Sequence, residues 1–95
     1  RRAPTRPRLT PSPMLCIALV QLDVRDGQPR ENVARAAELV RSAPEAHLYL
    51  LPELWTTGYA HASWDGAAGE EAAAALDAMR AWARARGAWV GGSLV

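Results

Sequence analysis

Residues 46–51 constrain the fold of this chain more than any other stretch. They are apolar apart from His47, too few to make a buried helix, and cut off by Pro52, which cannot donate to a strand ladder. The segment reads as a buried strand. A helical pattern lies on each side of it, and strands separated by helices pair in parallel, because the crossover returns the chain to the same end of the sheet. Glu53 follows Pro52 directly. It therefore stands at a strand end, where α/β sheets present loop side chains to ligands, and it is the first candidate for chemistry.

The rest of the chain repeats that logic. Residues 15–20 are continuously apolar, and Val20, Leu22 and Val24 alternate with Gln21 and Asp23. This predicts a first strand over 15–24, buried on both faces at its start, with Cys16 as inert packing inside it. Asp26 and Gly27 make a turn, with Asp23 and Asp26 shaping it. Pro29 suits a first helical position, Val33, Ala36, Ala37 and Val40 fall on one face, and Glu31 precedes Arg35 by one turn. Pro44 stops this helix near Ser42 or Ala43.

After Glu53 the pattern gives a loop over 55–69 holding Trp55, Tyr59, His61 and Trp64, longer than connections usually are without a function. A second helix starts near Glu70 and Glu71, with Ala72, Ala75, Leu76, Met79, Trp82 and Ala83 on one face. Arg84 and Arg86 complement its C-terminal dipole, and Gly87 ends it. A third strand is expected over 89–95. The order is βαβαβ, an α/β layout. Right-handed crossovers put both helices on one face if the strands are added in one direction. One apolar face then stays bare, unless the strand order reverses or the rest of a larger domain covers it.

Composition narrows the function. The first 13 residues hold four Arg and four Pro, a solvated, disordered tail that cannot bury enough surface to order itself. From Met14 onward seven Arg face ten Asp and Glu, a balance of −3, so residues 14–95 form an acidic domain rather than a nucleic-acid binder. No apolar run is long enough for a membrane span or built like a secretory signal. The lone Cys16 permits no internal disulfide and suits a reducing, cytoplasmic setting. His47 and His61 lack spaced metal-ligand partners, and Gly91-Gly92 does not form a phosphate loop.

Four short pieces in this order carry a specific resemblance: Ile17-Ala18-Leu19-Val20-Gln21-Leu22-Asp23, then Glu31-Asn32, then Leu51-Pro52-Glu53-Leu54-Trp55-Thr56-Thr57-Gly58-Tyr59, then Gly91-Gly92-Ser93. Together they resemble the N-terminal region of the nitrilase superfamily, the carbon-nitrogen hydrolases, from Leu15 to Val95. The resemblance implies that the chain is the opening βαβαβ part of a four-layer αββα sandwich, an incomplete part of that domain. It also implies homo-oligomers, no metal or organic cofactor, and a small-molecule amide, nitrile or carbamoyl substrate. The chemistry it implies uses a Glu, a Lys and a Cys. Glu53 matches the general base, and nothing in these residues matches the Lys or the nucleophilic Cys.

The base role has a physical rationale. A thiol of ordinary pKa about 8.5 is mostly protonated at neutral pH, so a carboxylate beside it can take the proton during attack and return it to the leaving amine. Trp55 and Tyr59 are placed to bury Glu53, and Trp55, Thr56, Thr57, Gly58 and Tyr59 are expected to wall the pocket, with Trp55, Thr57 and Tyr59 contacting substrate. Three functional readings follow. The first is the opening segment of a nitrilase-like hydrolase, inactive by itself and requiring a coding continuation that supplies Lys and Cys. The second is a non-catalytic remnant or dimerising binding module of the same fold. The third is a small nucleotide-binding α/β domain, which the absence of a glycine-rich cradle after the first strand disfavours.

Overall fold

A computed structural model describes residues 14–94; the Arg/Pro-rich tail and Val95 lie outside the described residues. Three short strands, β1 (Ile17–Leu19), β2 (Leu48–Leu50) and β3 (Trp89–Gly91), form a parallel sheet in the order β1-β2-β3. Helix α1 (Pro29–Ser42) makes the first crossover and α3 (Ala72–Arg86) completes the second. The α/β layout and the element order match the sequence reading, and the strands are added in one direction.

Backbone chemistry sets the helix bounds. Pro29 opens α1 with its fixed φ. At the other end Ala43 lies at φ −70° and ψ 152°, the extended conformation forced on a residue before proline. Helix α3 ends in a left-handed glycine: Gly87, at φ 58°, donates its N–H to the Arg84 carbonyl, and Ala88 donates to the Ala83 carbonyl. That pair of bonds closes the last turn, and only glycine adopts it without a Cβ penalty.

The register explains the two faces of the sheet. Ala18, Tyr49 and Val90 lie side by side across the strands and point at the helices. There Tyr49, Ala36, Val40, Ala75 and Met79 are buried, with Trp82 packed against them. The neighbouring rows are Ile17, Leu48 and Trp89, and Leu19, Leu50 and Gly91. Ile17, Leu19, Leu50 and Trp89 are exposed, Leu19 to 67% and Trp89 to 79%. The expectation that the first strand is buried on both faces is therefore corrected, and with it the placing of Cys16, which is exposed. Its N–H donates to His47 Nδ1 at 2.9 Å. Apolar composition marked β1 for burial, but within these residues only one face has helices to pack on.

Two further corrections concern lengths. Strand pairing in β1 stops early, since after the bond from Val20 N–H to the Leu50 carbonyl the chain folds back with Leu22 N–H on the Val20 carbonyl. The long loop carries its own helical turns: a 3₁₀ turn at His61–Ser63, a short α2 at Trp64–Gly66 and a π-type turn at Ala67–Glu71 that is kinked at Gly69.

At the end of the sheet where the strands begin, Arg86 is the fastener. Its guanidinium donates to the carbonyls of Arg41 (3.0 Å) and Ala43 (2.6 Å) and to the Tyr49 hydroxyl, while that hydroxyl donates to the Pro44 carbonyl at 2.8 Å. Glu45 lies 3.7 Å away as its ion pair. Arg86 thus ties the C-terminus of α3 to that of α1, a larger task than the dipole complement expected of it.

Candidate active site at the carboxyl end of the sheet

Glu53 lies just past β2, the central strand, on a turn at the carboxyl end of the sheet. The next residue, Leu54, sits at φ 47°. A left-handed conformation costs an L residue about 1–2 kcal/mol, so the surroundings must hold it. They do so from two directions. Leu54 donates its N–H to Ser93 Oγ at 2.8 Å, from beyond the end of β3. Its carbonyl accepts the N–H of Gly58 at 2.8 Å, which closes the turn on itself.

Below the turn, Trp55 is wholly buried and packs on Trp82, with ring centroids 5.7 Å apart. Its edge lies on Gly92, where a Cβ would come within 3.0 Å of the ring, so glycine at 92 permits the approach. Trp55 Nε1 is buried without a hydrogen-bond partner among the described residues. Thr57 is buried too, and its hydroxyl donates to the Gly58 carbonyl. Glu53 itself is exposed. The expected burial of Glu53 by Trp55 and Tyr59 is not what the chain does: Trp55 turns into the core, and Tyr59 stays 59% exposed with its hydroxyl donating to Glu53 Oε1.

Asn32 organises the whole rim. Wholly buried in the first turn of α1, it donates from Nδ2 to the carbonyls of Arg25 (2.8 Å) and Thr56 (2.7 Å). Its Oδ1 accepts from Arg25 N–H (3.0 Å) and Arg35 Nη2 (2.7 Å). Every hydrogen-bonding position of the amide is filled, which is the condition for burying it at no net loss. Arg35 also reaches the Asp23 carbonyl at 2.6 Å, so it braces the rim. Two more bonds join the loop after β1 to the Glu53 turn: Gly27 N–H to the Thr57 carbonyl at 2.9 Å, and Tyr59 N–H to Asp26 Oδ1 at 3.3 Å.

The sequence reading placed Glu53 just past the strand end, where the structure has it, but missed Asn32 and Ser93 as supports of the turn. The signal was present for Asn32, because Asn32, Ala36 and Val40 repeat at intervals of four on the buried face of α1. The electrostatics center on the Tyr59 phenol, whose pKa is raised above the ordinary value. It donates to the Glu53 carboxylate, loses some hydration, and stands beside that negative charge. Among the described residues no group of three or more His, Cys, Asp and Glu is arranged to hold a metal ion, and no helix is long and apolar enough to cross a membrane.

The comparisons with known proteins point to one family. The chain is 35% identical over 72 residues to a 2-oxoglutaramate amidase of Bacillus subtilis (strain 168), a match that takes in 75% of this chain and 28% of that amidase. No solved structure matches it significantly. The sequence pattern of the carbon-nitrogen hydrolases matches residues 16–95, nearly everything but the Arg/Pro-rich tail, and the chain belongs to the carbon-nitrogen hydrolase family.

Proposed function

We propose that this segment supplies the general base of an amidase-type hydrolase acting on a small-molecule amide, nitrile or carbamoyl substrate, with Glu53 as that base. The observation that carries the reading is the strained Glu53-Leu54 turn at the carboxyl end of the central strand, which delivers a carboxylate into the open. The related amidase favours amides within the substrate class. Tyr59 stands exposed beside the base, whereas Trp55 and Thr57, expected to contact substrate, are buried and support the turn from beneath.

The mechanism runs through a Glu, Lys and Cys set. The Glu53 carboxylate accepts the thiol proton as the cysteine sulfur bonds to the substrate carbon, and a lysine ammonium steadies the tetrahedral species. With an amide, the same proton passes to the nitrogen as the carbon-nitrogen bond breaks, leaving a thioester. Water then attacks, Glu53 takes its proton, and the acid departs as the thiol regains a proton. The 95 residues contain no Lys, and their one Cys, Cys16, lies just before β1, at the opposite end of the sheet from Glu53. In this reading both groups come from elsewhere in a longer polypeptide, and these residues alone do not turn over substrate.

The bare sheet face fits the same proposal. A four-layer αββα sandwich covers such a face with a second sheet, and the chain spans about 28% of the length of the amidase it matches, leaving room for one. We further propose, from the family resemblance alone, that the longer protein assembles as a homo-oligomer in the cytoplasm. The test is Glu53→Gln in the full-length protein, with ammonia release from 2-oxoglutaramate and simpler amides as the readout. Activity should fall by roughly a thousandfold or more with the fold intact; retained turnover sinks the proposal.

A further inference from the structure

On an exposed turn a glutamate side chain has three rotatable bonds and little to choose between rotamers. A general base needs the opposite, since it must stand within hydrogen-bond reach of the proton it takes. In this chain Glu53 Oε1 accepts from the Tyr59 hydroxyl, and Tyr59 is itself held at its main chain. Gly58, at φ 61°, donates to the Leu54 carbonyl at 2.8 Å, and Tyr59 N–H donates to Asp26 Oδ1 at 3.3 Å. The Asp26 carboxylate is so close to Gly58 that a Cβ there would lie 2.1 Å from Oδ1. The turn thus closes on its own acid, clamped from the loop after β1.

Resting on the reading of Glu53 as the base, we propose that Tyr59 is its positioning residue: the phenol occupies Oε1 and fixes the carboxylate rotamer, Asp26 fixes Tyr59, and Oε2 is left as the oxygen that takes the thiol proton. The two carboxylate oxygens then have separate tasks. The raised ionisation of the phenol agrees with this, because a phenol that donates to a carboxylate gives up its proton less readily.

The test uses the full-length protein. Tyr59 is largely solvent-facing, so Tyr59→Phe keeps the fold. It should lower kcat about ten- to hundredfold, the cost of misplacing a catalytic group by about 1 Å, with KM within about twofold. Asp26→Ala should give a smaller loss of the same kind. In carbon-13 tyrosine spectra assigned with the Tyr59→Phe variant, the Tyr59 ring should titrate at lower pH once Glu53 is replaced by Gln. A Tyr59→Phe enzyme with raised KM and unchanged kcat would make Tyr59 a substrate wall and overturn the proposal. So would a Tyr59 titration that ignores Glu53→Gln. Neither result touches the assignment of the base, which stands or falls on whether Glu53→Gln itself still turns over.

Discussion

Each end of the sheet has a polar helix side chain at the centre of its hydrogen bonds, and the ends differ in what is left over. At the end where the strands begin, Arg86 fills the carbonyls of Arg41 and Ala43 and the Tyr49 hydroxyl, and its ring contact on Tyr49 at 5.1 Å completes the packing. The groups it meets are satisfied and the backbone is relaxed. At the other end Asn32 ties the loop after β1 to the Thr56 carbonyl just as thoroughly, yet a left-handed Leu54 and an exposed Glu53 remain. A fold that can satisfy one end without strain has no stability reason to keep strain at the other. The strain that remains beside Glu53 is what motivates the proposal of a site there.

Substitutions can sharpen that contrast. The largest stability effect is expected from Arg86→Met, which keeps the length of the side chain but leaves the Arg41 and Ala43 carbonyls and the Tyr49 phenol without their donor. A loss of roughly 2–4 kcal/mol in urea unfolding should follow, with kcat per folded molecule unchanged. A fall in kcat would erase the distinction between the ends. Asn32→Ala comes next, with about 2–3 kcal/mol of destabilisation, and here kcat should fall as well because the Glu53 turn loses its tie to α1. Gly58→Ala is the mildest for stability, roughly 1–2 kcal/mol for a Cβ at positive φ. Because that Cβ displaces Asp26, its kcat loss should be large relative to its stability loss; the reverse ratio would show the turn to be scaffold only.

What the sequence disclosed follows from where the backbone has no choice. Pro29 and Pro44 bracket α1 and Gly87 ends α3, as read, because φ restriction and left-handed freedom act locally. Glu53 was legible for the same reason, through Pro52. Cys16 was not, since its exposure depends on whether anything covers the face of β1, a question of tertiary context that apolar composition does not answer. The helical turns over residues 61–71 interrupt what read as open loop, with no sustained apolar periodicity to announce them. The roles of Asn32, Arg35 and Arg86 lay in partners distant in sequence. Glu31 and Arg35 had the spacing of an ion pair, but Arg35 binds the Asp23 carbonyl and Asn32.

Trp89, standing 79% in water on the uncovered sheet face, also gives the chain an optical gauge. Of the other three Trp, Trp55 is sealed in the core and Trp64 and Trp82 are half-buried, so Trp89 is the most exposed indole and contributes most to the red edge of the emission. Anything that dries the surface shifts that light to the blue and hides it from a soluble quencher, while Trp55 keeps its color. The same indole therefore reports, without a label, whether that face has been covered.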